Sequence, residues 1–197
     1  MDLLLTHGYF LREDPKEQQI MKPYVPLGIL YITSHLRARG FDVQVFDSTF
    51  NSRDQLQRIL RSEKPAVLGI YANLMTRGSV LQIIQAAREA GWKTVAGGPE
   101  PAVYAEEYLA AGTDVVVIGE GEITLEELLP VLKGEHAELL ERVRGIAFRG
   151  PEGVVHRTPP RPQISDIDQQ PWPCREAVSI EQYLETWRRH HGTGSVS

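Results

Sequence analysis

The sequence predicts an α/β protein built on a doubly wound parallel sheet. Residues 1–134 alternate five short apolar runs with helical patterns, which is typical of repeated β–α units. Three of the runs are apolar throughout, as expected for strands covered by helices on both faces. The second run alternates apolar and polar residues, so we expect it at a sheet edge. These observations predict a flavodoxin-like (Rossmann-type) sheet of five strands in the order 2-1-3-4-5.

Each element follows from a local pattern. Strands are predicted at 3–5, 41–45, 66–71, 93–96 and 114–118. A helix opens at Pro26 and ends at Gly40, which fits a left-handed cap. A capping box at Ser52 begins the next helix, and the apolar spacing over 80–87 predicts a third. Two more helices are predicted, one over 102–110 and one from a capping box at Thr124.

The pattern changes after residue 134. Apolar segments on either side of 150–153 predict a hairpin, and five prolines between 159 and 173 predict an extended linker. A short helix is expected from Ser179. We therefore divide the chain into an α/β domain at 1–134, a hairpin and proline-rich linker at 135–178, and the start of a truncated following domain at 179–197.

Composition excludes several classes of function. The net charge is −5 and no basic run exceeds two residues, which argues against a nucleic-acid partner. No apolar run approaches the length of a membrane span, and the first residues lack the positive start of a signal peptide. Cys174 is the single cysteine, which excludes an internal disulfide and favours a reducing compartment. A cytoplasmic protein is expected.

Catalytic and metal-binding motifs are absent from the sequence. The His, Cys, Asp and Glu residues do not show the spacing of a zinc site, and there is no Gly-x-Ser-x-Gly elbow or phosphate loop. We predict no catalytic residue and no metal ligand in this chain. The Gly119–Thr124 segment approaches a dinucleotide fingerprint, but it follows the fifth strand and not the first, which disfavours NAD or FAD.

Two glycine-containing turns are the main candidate site. Gly97-Gly98-Pro99-Glu100 and Gly119-Glu120-Gly121-Glu122 each close a predicted strand, at the sheet edge where open α/β sheets bind ligands. Bare backbone there would let a large planar or phosphate-bearing group approach closely. Tight turns without a ligand, and carboxylates that only stabilise helix starts, remain alternatives.

Four segments in this order resemble the N-terminal part of cobalamin-dependent radical S-adenosylmethionine enzymes, a group that includes the anaerobic magnesium-protoporphyrin monomethyl ester cyclases and several methyltransferases. They are Tyr24–Ile32, Gly97–Pro101, Val117–Thr124 and Ile167–Pro173. The resemblance implies cobalamin bound at the carboxyl edge of the sheet, with its dimethylbenzimidazole tail alongside the strands. The implied cofactor contacts are Gly8, Tyr9, Phe10, Pro26, Leu27, Gly28, Ala72, Asn73, Leu74, Met75, Thr76, Gly97, Gly98, Pro99, Glu100, Gly119, Glu120, Gly121, Glu122 and Thr124.

The chain departs from known cobalamin proteins in two respects. Other cobalamin domains carry Asp-x-His-x-x-Gly, whose histidine ligates cobalt; here Gly28 matches the glycine, and neither the Asp nor the His precedes it. His7 is the histidine nearest that loop, and we expect cobalt without a histidine ligand, its lower face open, water-bound or capped by Tyr9, Phe10 or Tyr24. The cluster motif Cys-x-x-x-Cys-x-x-Cys is also absent.

The resemblance therefore implies a cobalamin-binding module of a larger methyltransferase or cyclase. The [4Fe–4S] cluster and S-adenosylmethionine would belong to a following radical S-adenosylmethionine domain of the same polypeptide, and the fragment would not be catalytic alone. The alternatives are a ligand-free regulatory or interaction domain of the same fold, or a nucleotide or flavin binder.

Overall fold

The computed structural model describes residues 1–134 and 137–195, and the start of the predicted linker at 135–136 lies outside them. The strands are β1 (Leu3–His7), β2 (Val43–Phe46), β3 (Val67–Tyr71), β4 (Lys93–Gly97), β5 (Val115–Val117), β6 (Ile146–Arg149) and β7 (Val155–Arg157). The α-helices are α1 (Pro15–Ile20), α2 (Leu27–Arg37), α3 (Arg53–Ser62), α4 (Arg77–Glu89), α5 (Pro99–Val103), α6 (Ala105–Ala110), α7 (Glu122–Lys133) and α8 (Ile180–His191).

The strands form a single sheet in the order β2-β1-β3-β4-β5-β6-β7. The first five are parallel and keep the predicted 2-1-3-4-5 order, with β2 at the edge. The prediction of a five-stranded sheet was wrong, because β6 pairs antiparallel with β5 and β7 pairs with β6. The predicted hairpin thus extends the sheet and pairs backbone groups that β5 would otherwise leave exposed at an edge.

Alternate strand residues face two separate helical layers. One face of the sheet, including Leu3, Leu5 and Val95, packs with α2 and α7. The opposite face, including Leu4 and Leu68, packs with α3, α4 and α6. The helix that follows β1 (α2) therefore lies on one face of the sheet, and the helix that precedes β3 (α3) lies on the other. In doubly wound sheets, such a switch point between neighbouring strands opens a crevice at their carboxyl ends.

Local sequence signals determine most helix starts. Ser52 and Gln55 form the predicted capping box of α3, and Gly40 takes a left-handed φ of 85° after α2. The predicted cap at Thr124 was wrong: α7 begins at Glu122, and the Thr124 hydroxyl lies inside the first turn and donates to the Glu120 carbonyl. The helix predicted over 102–110 is two short helices, because Tyr104 leaves helical geometry between them.

The C-terminal segment packs back onto α2. The Cys174 amide donates to the Leu30 carbonyl at 3.1 Å, and the Ser34 hydroxyl donates to the Trp172 carbonyl. From α8, the fully buried Tyr183 packs against Val25 and Leu30. This segment therefore covers part of the α2 surface that the sheet leaves exposed.

Candidate functional site

Two adjoining cavities open at the carboxyl edge of the parallel strands. The inner cavity, of about 230 Å³, lies between the sheet and helices α2 and α7. The outer cavity, of about 280 Å³, lies between the loop that follows β1, the start of α2 and the turn that follows β3. Both are lined by Gly28, Ile29 and Tyr71, so they adjoin, and together they have the size that small-molecule ligands occupy.

The floor of the inner cavity includes Gly69 of β3, whose neighbours on the adjacent strands carry side chains. Gly69 pairs with Leu5 on one side and Val95 on the other. A Cβ at Gly69 would lie 2.6 Å from Leu5 Cδ2, so the glycine leaves room for the leucine side chain, and both residues line the cavity. The remaining wall, from residues such as Ile32, Val117 and Leu125, is mainly apolar.

Glycines of the two predicted turns form the rim of the inner cavity. Gly119 has a φ of 90° and open space around the position of a Cβ, so its backbone is accessible from the cavity side. Gly98 has a φ of 111°, and a Cβ there would lie 2.3 Å from the Ala72 carbonyl oxygen. The first glycine exposes backbone to the cavity, whereas the second allows two strand ends to approach each other.

Aromatic rings and a tight turn shape the outer cavity. Tyr9 and Tyr24 stack with centroids 5.5 Å apart, and the Tyr9 hydroxyl donates to Glu17. Burial, together with the neighbouring Glu17 carboxylate, raises the pKa of Tyr9 well above its ordinary value, so it stays a neutral donor. On the opposite side, Asn73 and Thr76 close the turn after β3 through reciprocal 3.1 Å hydrogen bonds.

His7 lines the outer cavity with both ring nitrogens already engaged. Its Nδ1 accepts from the Tyr9 amide at 3.3 Å, and its Nε2 lies 3.1 Å from Asp47 Oδ1. A neutral imidazole with its proton on Nε2 satisfies both contacts, because that nitrogen donates to the carboxylate. Burial alone would raise the pKa of Asp47, but hydrogen bonds from His7, Tyr183 and the Thr49 amide hold it below its ordinary value.

The structure brings most of the predicted contact residues to these cavities. The inner cavity is lined by Gly28, Gly97, Gly98, Gly119, Glu120, Gly121 and Glu122. The outer cavity is lined by Tyr9, Pro26, Leu27, Gly28, Asn73 and Thr76. A neighbouring lateral cavity, of about 220 Å³ beside α1, is lined by Gly8, Phe10 and Met75 together with Tyr9 and Thr76.

Five predicted contacts do not line these three cavities: Ala72, Leu74, Pro99, Glu100 and Thr124. The Glu100 carboxylate is buried and accepts from Arg77 at 3.0 Å. The Thr124 hydroxyl accepts from Arg161 of the linker at 3.0 Å, and the Glu120 carboxylate accepts from the Ile164 amide at 2.7 Å. Residues 161–164 therefore brace the second glycine turn from outside.

Several lining residues were missed by the sequence reasoning, including Ile29, Ile32, Gly69, Tyr71 and Val117. Gly69 had a visible signal, because a lone glycine inside an apolar strand often marks a close approach to that strand. The apolar residues had none, since they fit the same core patterns as residues buried elsewhere.

The described residues, 1–134 and 137–195, contain no group of three or more His, Cys, Asp or Glu side chains able to hold a metal ion. Among the same residues, no helix is both long and apolar enough to cross a membrane.

Comparison with known proteins identifies the family. Residues 20–129 match the model of the B12 binding domain, and the chain belongs to this family. It is 29% identical to an uncharacterized methyltransferase of Pyrococcus horikoshii, over 80% of this chain and 35% of that protein. It is 30% identical to the anaerobic magnesium-protoporphyrin IX monomethyl ester cyclase of Rubrivivax gelatinosus, over 76% of this chain and 28% of the cyclase.

The fold is also that of a solved structure, the cobalamin-dependent S-adenosylmethionine radical enzyme OxsB with aqua-cobalamin bound. The TM-score is 0.70 at 21% identity, over 88% of this chain and 24% of that one. The chain thus spans about a third or less of the length of these relatives. It is a B12-binding domain that resembles the cobalamin-binding part of cobalamin-dependent radical S-adenosylmethionine enzymes, and a nucleotide or flavin site is not favoured.

Proposed function

We propose that the chain holds cobalamin at the carboxyl edge of its sheet, within a larger radical S-adenosylmethionine enzyme. Residues around the outer cavity, including Tyr9 and Asn73, would hold the corrin, and those around the inner cavity would hold the nucleotide tail. Bound cobalamin supplies the reactive cobalt, whereas this chain binds it, orients it and shields it from water. The whole enzyme would be a methyltransferase or a cyclase.

The observation that carries this proposal is the pair of adjoining cavities at the carboxyl edge of the sheet. A flat corrin needs an open surface of bare backbone, and Gly28, which lines both cavities, provides it, since open space surrounds its missing Cβ. A ring-bearing tail needs an apolar cleft, and the inner cavity, with Ile32, Val117 and Leu125 in its wall, provides one. The residues present therefore fit both parts of the cofactor.

The protein environment also supports cobalt without a histidine ligand. His7 is the histidine that lines the described cavities, and hydrogen bonds to Tyr9 and Asp47 occupy both of its nitrogens. His35 lies elsewhere, between Gln170 and Glu126, with both nitrogens similarly engaged. A ligand role for His7 would require the loss of one of these two hydrogen bonds, which would leave either the Tyr9 amide or the Asp47 carboxylate without that partner.

The proposed division of the polypeptide follows from the same assignment. Residues 1–134 would form the cobalamin-binding unit, 135–178 the hairpin and linker, and 179–197 the start of a following domain. That domain would supply the [4Fe–4S] cluster and S-adenosylmethionine, because Cys174 alone cannot hold a cluster. A cytoplasmic location, favoured by the single cysteine, belongs to this proposal.

A matched pair of glycine substitutions tests the site. Gly28 and Gly78 are the second residues of α2 and α4, both exposed, and a Cβ at either would meet nothing within 4 Å. Gly28→Leu fills the junction of the two cavities, whereas Gly78→Leu lies outside both. Either change should alter the free energy of unfolding by no more than about 1 kcal/mol, because leucine is a better helix former than glycine.

The assay is incubation with hydroxocobalamin, desalting and a visible spectrum. We expect the wild-type chain and Gly78→Leu to retain stoichiometric corrin, and Gly28→Leu to lose most of it. If the wild-type chain retains no corrin, or if Gly28→Leu retains as much as Gly78→Leu, the proposed site is refuted.

A further inference from the structure

Helix α8 is linked to the outer cavity by a buried hydrogen-bond network. The Tyr183 hydroxyl donates to Asp47 Oδ2 at 2.8 Å and lies 2.8 Å from the Thr49 hydroxyl. The other oxygen of Asp47 accepts from His7 Nε2, and His7 forms part of the cavity wall. Tyr183 is fully buried, with its ring packed edge-on against Phe50 at 4.8 Å, so its hydroxyl position is fixed.

The chemistry of the three side chains determines which atom donates and which accepts in each hydrogen bond of this network. Burial, followed by the charge of Asp47, raises the pKa of Tyr183 far above its ordinary value, so the phenol is a permanent donor. The Asp47 carboxylate therefore accepts from both Tyr183 and His7. His7 must then keep its proton on Nε2, which leaves Nδ1 to accept from the Tyr9 amide. One hydroxyl on α8 thus helps to fix the orientation and tautomer of a ring more than 170 residues earlier.

Two more contacts from the same helix hold the segment that leads to another residue of the outer cavity. The Trp187 indole donates to the Pro23 carbonyl at 2.8 Å, and His191 Nε2 lies 3.0 Å from the Met21 carbonyl. The next residue after Pro23 is Tyr24, which lines the cavity and stacks on Tyr9. The parts of the outer cavity formed by His7 and by Tyr24 are therefore both tied to α8, which lies beyond the matched residues 20–129.

We propose that Tyr183 is a positioning residue of the cobalamin site, which fixes His7 through Asp47 as a wall of the outer cavity with no nitrogen left for cobalt. The inference rests on the proposed function and extends it, because it makes α8 a part of the binding site. Loss of the hydroxyl leaves the Asp47 carboxylate with one donor fewer and frees it to rotate. The His7 wall then loses its fixed orientation.

The test compares two fully buried tyrosines. Tyr183→Phe removes the hydroxyl that binds Asp47. The matched control Tyr108→Phe removes another buried tyrosine hydroxyl, which lies beside the Glu100 carboxylate and does not contact Asp47 or His7. Circular dichroism establishes that both variants fold. Absorbance titration with hydroxocobalamin gives the Kd, and carbon NMR of the ligand-free protein follows the ionisation of the Asp47 carboxyl.

We expect Tyr183→Phe to weaken hydroxocobalamin binding about 3- to 10-fold. This is less than the more than roughly tenfold cost of a full hydrogen bond to a charged group, because the lost bond acts on the ligand only through Asp47 and His7. It should also raise the pKa of Asp47, because one donor to the carboxylate is gone. Tyr108→Phe should leave both quantities at their wild-type values. Nitrogen NMR should show a single Nε2–H tautomer of His7 in the wild type and a mixture in Asp47→Ala.

The outcomes separate this inference from the proposed function. If the wild type does not bind hydroxocobalamin, the proposed function fails, and the cobalamin role of Tyr183 fails with it. If the wild type binds and Tyr183→Phe matches Tyr108→Phe in Kd and in the ionisation of Asp47, the role of Tyr183 alone is overturned. A mixed His7 tautomer in the wild type would overturn it as well.

Discussion

Substituting the adjacent glycines at the end of β4 should give effects on stability of very different size. In Gly98→Ala, the new Cβ would lie 2.3 Å from the Ala72 carbonyl oxygen, at a residue with φ 111° and ψ 177°. In Gly97→Ala, the nearest atom to the Cβ is Val117 Cβ at 3.8 Å, an ordinary contact. The two changes remove the same flexibility from the unfolded chain, so their difference measures the native conformation.

The expected magnitude for Gly98→Ala has two sources. The backbone conformation is almost restricted to glycine and costs about 1–3 kcal/mol for any other residue. The clash is with backbone, so its relief must move the Ala72 segment, whose amide donates to the Gly97 carbonyl at 2.9 Å. Loss of that bond adds about 0.5–1.5 kcal/mol. Gly98→Ala should therefore lower the free energy of unfolding by about 2–4 kcal/mol.

Urea unfolding monitored by circular dichroism measures this difference, with thermal unfolding as a second readout. For a chain of this size, each kcal/mol shifts Tm by roughly 2–4 °C, so Gly98→Ala should melt about 4–16 °C below the wild type. Gly97→Ala should lie within about 1 kcal/mol of it. If the two variants unfold at the same urea concentration, the argument from backbone geometry at Gly98 is refuted.

Two further predictions concern the floor of the inner cavity and the buried carboxylate. Gly69→Ala should push the flexible end of Leu5 into the inner cavity, because the new Cβ would lie 2.6 Å from Leu5 Cδ2. Titration should then show weaker hydroxocobalamin binding. An unchanged Kd would contradict the assignment of Gly69 to the cavity floor. The pKa of Asp47 is lower in the folded state than its ordinary value of 3.8. Its ionisation therefore stabilises the fold fully above about pH 4, and this stabilisation is lost as the pH falls through the pKa of the folded state. Asp47→Asn should therefore be less stable than the wild type at pH 7, and urea unfolding should show the gap narrowing below about pH 4, whereas a gap that stays constant with pH would exclude this linkage.

The order of the parallel strands could be predicted from sequence because it depends on short-range patterns. The alternation at β2 placed that strand at the edge, and continuous apolar runs marked the inner strands. The capping box at Ser52 and the left-handed Gly40 were equally local, because each signal lies within four residues of the helix end that it defines. The glycine turns were visible for the same reason.

Sequence patterns failed to assign a role where one residue type can either contact a ligand or make a structural hydrogen bond or ion pair. Thr124 fitted a helix cap by type and spacing, but its hydroxyl bonds within the first turn and to Arg161 of the linker. Glu100 lies in a glycine turn that lines the inner cavity, yet its buried carboxylate pairs with Arg77. In both cases the partner lies more than 20 residues away, so residue type alone could not choose between a ligand and a structural contact.

The sequence by itself determined the parallel α/β sheet, the glycine-lined ligand edge and the likeness to cobalamin proteins, since all three depend on patterns within short, contiguous segments. Only the tertiary structure decided that the hairpin joins the sheet, that Gly69 forms the floor of a cavity, and that α8 reaches His7 through Asp47. Those features depend on which surfaces meet after the chain has packed. The bond between Tyr183 and Asp47 joins residues 136 positions apart, and no local pattern encodes a contact at that separation.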